Sequence, residues 1–159
     1  MTGGSMIRKV TTEGSTFQEG HAMFETGTPR IAEAIGWGAA VKWLSQFEMK
    51  DIHDHVHEIA AWTGKEMNKI PGIKIYGDPS NKNSSGAVSF LHETIQSQDL
   101  AFLLDEGGFA VRTGHHCAQP LMDALGVPST NRASFWIYNT QEEAESFISH
   151  LRNVCERFA

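Results

Sequence analysis

The chain has 159 residues and 17.6 kDa, 40% apolar and 20% charged, with a mean hydropathy of −0.30; a chain of this make-up buries about two thirds of its unfolded surface, which excludes disorder and small disulfide scaffolds. Thirteen Lys and Arg against nineteen Asp and Glu leave a net charge of −6 and a pI of about 5.7, which repels phosphate backbones and disfavours general nucleic-acid binding. The longest runs without a charged residue, 83–92 and 113–122, have ten residues where a bilayer-spanning helix wants about twenty, and the start shows no basic stretch followed by an apolar one, so the expectation is a cytoplasmic chain with no membrane segment and with Cys117 and Cys155 reduced.

Residues 1–28, rich in Gly and Thr, show little apolar periodicity and read as a strand plus a long loop. Such a segment is unusual inside a compact domain, so it is expected to pack on a partner or on a larger domain. Ile31, Ala34, Ile35, Gly38, Val41 and Leu44 then step by three and four, which predicts a helix with Thr28 as N-cap and Pro29 at its first position. Ile52, Val56, Ile59, Ala60, Thr63, Met67 and Ile70 form the stripe of a second helix, stopped by Pro71-Gly72, which should lie on a sheet. Strands are expected at Ile73–Tyr76 and Ala87–Leu91, separated by turn-forming residues. Ser97 is read as the cap of a short helix ending at Gly107-Gly108, followed by an extended Phe109–Arg112. Pro120 opens another helix that Gly126 closes, and Ala133–Tyr138 reads as a strand. Thr140 and Glu143 make a capping box for a last helix burying Ala144, Phe147, Ile148, Leu151, Val154 and Phe158. This mixture without a strict βαβ repeat argues for an α+β fold, a small, mainly antiparallel sheet with helices on one face.

The densest chemistry lies in Arg112-Thr113-Gly114-His115-His116-Cys117-Ala118, between a strand and a helix. A free cysteine is by default a small buried hydrophobe. Here a helix N-terminus, two imidazoles and a guanidinium surround the thiol, and each favours its negatively charged, nucleophilic form. Cys155, among Leu151, Val154 and Phe158, is assigned to packing. Gly27-Thr28-Pro29 combines a glycine, a hydroxyl and a helix start, which together suit a phosphate, although Thr-Pro by itself simply starts a helix. Arg132, placed at the mouth of the expected strand, suits a bidentate grip on a carboxylate, with a surface salt bridge as the plainer reading. His53 and His57 could share a helix face toward zinc, but no third ligand of suitable spacing adjoins them, and no metal site is expected.

Taken together, Phe24-Glu25-Thr26-Gly27-Thr28-Pro29, Arg112 through Met122, Asn131-Arg132-Ala133-Ser134 and Tyr138-Asn139-Thr140 resemble the group II, SUF-type cysteine desulfurases, relatives of the selenocysteine lyases among the pyridoxal-phosphate enzymes of aminotransferase class V. Gly3-Gly4-Ser5-Met6 is similar to the family's glycine-rich approach to this region. The resemblance implies the C-terminal small domain of a fold-type I enzyme, with residues 1–28 a remnant of the larger cofactor domain and 29–159 the α+β domain. It implies sulfur transfer from L-cysteine, or L-selenocysteine chemistry, leaving alanine and a persulfide on Cys117 that an acceptor protein collects for iron–sulfur cluster assembly. On the same resemblance Arg132 grips the substrate carboxylate, Arg112 helps orient the substrate, and Gly114, His115 and His116 belong to the active-site loop, the histidines shaping it or assisting proton transfer. Gly27 and Thr28 correspond to the pair that reaches the cofactor phosphate of the other subunit in a homodimer.

The likeness covers only the C-terminal two fifths or so of such an enzyme. None of Lys9, Lys42, Lys50, Lys65, Lys69, Lys74 or Lys82 lies in the motif of the lysine that holds pyridoxal 5′-phosphate. Without that electron sink the C–S bond of cysteine is not labilised, so this chain alone is expected to be inactive. The alternative is a non-catalytic sulfur carrier or acceptor-binding module using Cys117.

Overall fold

Strict alternation along 87–92, with Val88, Phe90 and His92 buried and Ala87, Ser89 and Leu91 half-buried, is the pattern of a strand with one face on a core. The computed structural model describes residues 3–158, leaving positions 1, 2 and 159, at the ends of the two expected segments, outside the described residues. The chain forms two units, Met1–Phe47 and Glu48–Ala159.

In the first unit, β1 (Ile7–Val10) pairs antiparallel with β2 (Ser15–Phe17), Val10 opposite Ser15. The expected strand and loop is therefore a hairpin, closed by Thr11, whose hydroxyl donates to the Gly14 carbonyl at 2.9 Å. Strands of three and four residues are too short to show a period in sequence. A 3-10 turn spans Gly20–Phe24, and α1 spans Ile31–Leu44. Helix α1 starts later than predicted. Arg30, not Thr28, is its N-cap, no side chain caps it, and its first turn is closed by the Ala34 N–H on the Arg30 carbonyl at 3.0 Å. The predicted apolar face is not buried either, since no α1 residue is buried and Trp37 is 75% exposed. Apolar residues surround this helix instead of lining one side of it.

The second unit holds a four-stranded sheet in the order β3 (Ile73–Tyr76), β4 (Ala87–His92), β6 (Thr130–Ser134), β5 (Arg112–Gly114), every pair antiparallel. Helices α2 (Met49–Met67), α3 (Ser97–Glu106) and α5 (Gln141–Phe158) contribute to the core. There Met67, Phe90, Leu100, Leu104 and Leu151 are fully buried. The α+β expectation, a small antiparallel sheet covered by helices, matches this architecture. The capping box forms as read: the Glu143 N–H donates to Thr140 Oγ1 at 3.2 Å and the Thr140 N–H to Glu143 Oε2 at 3.0 Å. Gly126 ends α4 (Gln119–Leu125) in the left-handed conformation, φ 69°.

Four local expectations are corrected. Ser97 is the first residue of α3 with Gln96 as N-cap, and its hydroxyl bonds Ser129 Oγ at 2.6 Å rather than capping the helix. Strand β5 begins at Arg112, because the Phe109 N–H is still tied to the Leu104 carbonyl at the end of α3. Strand β6 lies over Thr130–Ser134, not Ala133–Tyr138, since Trp136 and Asn139 close a turn through the Asn139 side chain at 2.8 Å. Phe158, expected on the buried face of α5, is 48% exposed at the last residue of that helix.

Candidate active site

Sheet register sets the site. Tyr76 pairs with Ser89, Ser89 with Arg132, and Arg132 with Arg112, so one row crosses all four strands on the face opposite Phe90 and the core. Arg132 therefore sits inside β6 rather than at a strand mouth. Two arginines directly opposite each other on an antiparallel pair repel. Neither has a carboxylate partner among the described residues, and Arg132 donates from Nε to Ser134 Oγ at 3.1 Å. The pair thus presents uncompensated positive charge to anything anionic that enters.

Gly114, at φ 119°, ends β5 in a conformation that side chains avoid and turns the chain off the sheet. The next four residues form a tight turn, the Ala118 N–H donating to the His115 carbonyl at 2.9 Å. Both central residues, His116 at φ 55° and Cys117 at φ 60°, are left-handed. This is costly for side chains with a Cβ and is found where surrounding structure holds it. At the tip Cys117 is exposed, and Arg112 Nη2 lies 3.6 Å from its sulfur. Helix α4 follows at Gln119, so the turn is where the sequence put it.

His116 points inward and its Nε2 lies 2.9 Å from both the carbonyl and the hydroxyl of Thr130. Burial pushes its pKa below the ordinary imidazole value of 6.5, aided by the positive charges of Arg132, Arg112 and His115 and opposed by the bond to Thr130. His115, by contrast, is exposed. A cavity of about 410 Å³ opens beside this group, lined by Arg132, His116, Thr130, Ser89 and Tyr76 and floored by Leu121, Met122 and Leu125 of α4. It has room for a small amino acid. Tyr76, Ser89 and Thr130 were not singled out from the sequence, because only strand pairing aligns them with Arg132.

The structure thus brings Arg112, Gly114, His116, Cys117 and Arg132 together within the second unit. Gly27 and Thr28 belong to the first unit. There Gly27 has φ 86° and its N–H donates to the Gly4 carbonyl at 2.7 Å, while Thr28 is exposed. Cys155 is buried in α5, and burial pushes its thiol pKa up to about 11. His53, His55 and His57 each donate from Nε2 to a main-chain carbonyl, of Lys82, Asn139 and Asn81, all at 3.0 Å. Among the described residues no three potential ligands gather to hold a metal, and no helix is long and apolar enough to cross a membrane.

The profile of the family described as Aminotransferase class-V matches residues 1–147. A probable cysteine desulfurase of Staphylococcus aureus is 41% identical over 157 residues, covering 99% of this chain and 38% of that protein. A cysteine desulfurase of Haloferax volcanii is 40% identical, covering 99% of this chain and 37% of its own. Among solved structures, the cysteine desulfurase CsdA of Escherichia coli, in an S-sulfonic acid form, superposes with a TM-score of 0.83 at 31% identity, over 100% of this chain and 39% of that one. The apo cysteine desulfurase of Thermococcus onnurineus NA1 gives 0.82 at 33% identity, over 99% and 39%. The chain therefore spans less than two fifths of the length of the relatives it matches.

Proposed function

The chain belongs to the aminotransferase class V family, and from that premise we propose that it is the sulfur-accepting C-terminal part of a SUF-type cysteine desulfurase. The observation that carries this reading is the unpaired Arg112–Arg132 couple beside an exposed thiol: two cations facing each other across a strand pair, with the sulfur 3.6 Å from one of them and a cavity of amino-acid size against the other. An amino-acid carboxylate relieves that repulsion.

Arg132 holds the carboxylate of L-cysteine and Arg112 orients it. The Cys117 sulfur bonds to the substrate sulfur as the substrate C–S bond breaks, and the released electron pair returns to carbon, which takes a proton to give alanine. Pyridoxal phosphate, when bound, supplies the sink for that electron pair. The residues of this chain do not make a complete site for it. The cavity wall contains neither a lysine for a Schiff base nor a carboxylate for a pyridine nitrogen, and Gly27 and Thr28 offer at most a phosphate handle, which on this reading serves the other subunit of a homodimer. Residues 1–28 are then the remnant of the cofactor domain, and the chain is inactive alone. The persulfide passes to an acceptor protein for iron–sulfur cluster assembly in the cytoplasm, and L-selenocysteine is a second substrate.

The test is to mix the chain with pyridoxal phosphate and L-cysteine, with and without a separately expressed polypeptide matching the rest of the relatives, and to follow alanine and cofactor absorbance. Alanine from the mixture alone, abolished by Cys117→Ala, is the expected result. Alanine from this chain unaided would overturn the inactivity. A mixture that makes none, while Cys117 still takes sulfur from a persulfide donor, would favour the carrier reading, which the exposure of Cys117 and the lack of a lysine in the cavity wall also suit.

A further inference from the structure

We infer that His116 is a positioning residue, a strut that ties the strained turn carrying Cys117 to strand β6, and not a proton carrier. This deepens the desulfurase reading, on which it rests only for the identity of Cys117 as the sulfur-bearing group.

The argument starts at Nε2. It lies 2.9 Å from the Thr130 carbonyl, and a carbonyl only accepts, so Nε2 carries the proton and donates it there. The neutral ring then keeps its lone pair on Nδ1. That atom is buried and has no hydrogen-bond partner. Protonating it would create a buried N–H with nothing to receive it, among Arg132, Arg112 and His115, whose positive charges all oppose a further one. A proton carrier needs a nitrogen free to take up a proton from a reacting group and release it again. Here one nitrogen is committed to the main chain and the other is sealed off. His115, next to it on the same loop, is exposed.

The strut has a mechanical purpose. His116 and Cys117 both occupy left-handed backbone at φ 55° and 60°, a conformation that an unsupported loop leaves. Thr130 is two residues before Arg132 on the same strand, β6. The bond from His116 to Thr130 therefore fixes the spacing between the sulfur and the carboxylate grip, and it holds Cys117 within reach of Arg112 Nη2.

The test uses this chain as it stands and needs neither cofactor nor substrate. Imidazole nitrogen NMR of the wild-type chain is expected to show His116 as the Nε2–H tautomer, unchanged as pH passes the ordinary imidazole value of about 6.5. The rate of Cys117 alkylation by iodoacetamide is expected to fall about fivefold in His116→Ala, the equivalent of losing one neutral hydrogen bond. It should recover in His116→Gln, whose amide donates from a comparable position. Cys155 must stay unlabelled in every variant, which certifies that the core is intact. If His116→Ala does not fold, the tautomer measurement and His116→Gln carry the test. A His116 that titrates near 6.5, or an alanine variant alkylated at or above the wild-type rate, overturns the proposal. Failure of the mixture with the separately expressed polypeptide to form alanine, with both readouts intact, would count against the desulfurase reading alone.

Discussion

The two units use similar residues to opposite ends. The second closes its own core: Met67, Phe90, Leu100, Leu104 and Leu151 have essentially no exposed surface, and the polar row of the sheet faces away from them. The first contains helix α1, with Ile35, Trp37 and Trp43 all more than half exposed, and Met6 is its one buried apolar residue among those described. Hydrophobicity alone does not make a core. A stripe separated from polar residues at helical spacing does, and α2 and α5 have one where α1 does not. The first unit thus leaves the apolar surface of α1 open, whereas the second buries its own core beneath Cys117 and Arg132.

That contrast can be broken by experiment. The largest effect is expected for Phe90→Ala, which should cost about 3–5 kcal/mol in urea denaturation because it empties the centre of the core; a cost below about 1 kcal/mol would show that the second unit is not held by that core. Gly72→Ala should cost about 1–3 kcal/mol. Gly72 has φ 77°, and an added Cβ would lie 2.4 Å from His92 Nε2; Gly4→Ala, in open space, serves as the control. Thr140→Ala removes one half of the capping box and is expected to lower the urea midpoint by the equivalent of about 1 kcal/mol.

A smaller effect is expected with pH. Burial holds the His116 pKa below its unfolded value of 6.5, so above that value both states are neutral and the group contributes nothing. As pH falls through 6.5 the unfolded chain takes up the proton first, and stability declines. Relative to His116→Gln, the wild-type urea midpoint should therefore fall on acidification and hold steady above neutrality. An unchanged difference would show that the imidazole is not buried as described. Smallest of all, Trp37→Ala in the first unit should change the stability of the isolated chain by no more than about 0.5 kcal/mol. A loss as large as that of Phe90→Ala would erase the distinction between the units.

Several features were legible in the residues. The stripes of α2 and α5, the capping box at Thr140 and Glu143, the glycine end of α4 and the placement of Cys117 between a strand and a helix all depend on neighbours three or four positions apart, within reach of local rules. The cap of α1 was misread because Thr-Pro is a good helix start in general, while here Arg30 has the non-helical backbone, ψ 74°. The family resemblance also came early, because Arg112-Thr113-Gly114-His115-His116-Cys117 is a distinctive string.

What the sequence determined by itself was thus the faces of α2 and α5, the capping box of α5, the glycine end of α4 and the cluster of reactive residue types in one short loop. The tertiary structure alone decided that β6 begins at Thr130, that Arg132 faces Arg112 across a strand pair, and that His116 reaches Thr130. Each of these joins residues that are distant along the chain and brought close by sheet register. Register follows from which strands pair and how their buried faces match, and no local period encodes that choice. Asn131 is a poor strand former, yet β6 lies between β4 and β5 with main-chain partners on both sides, so cooperative pairing overrides its weak propensity.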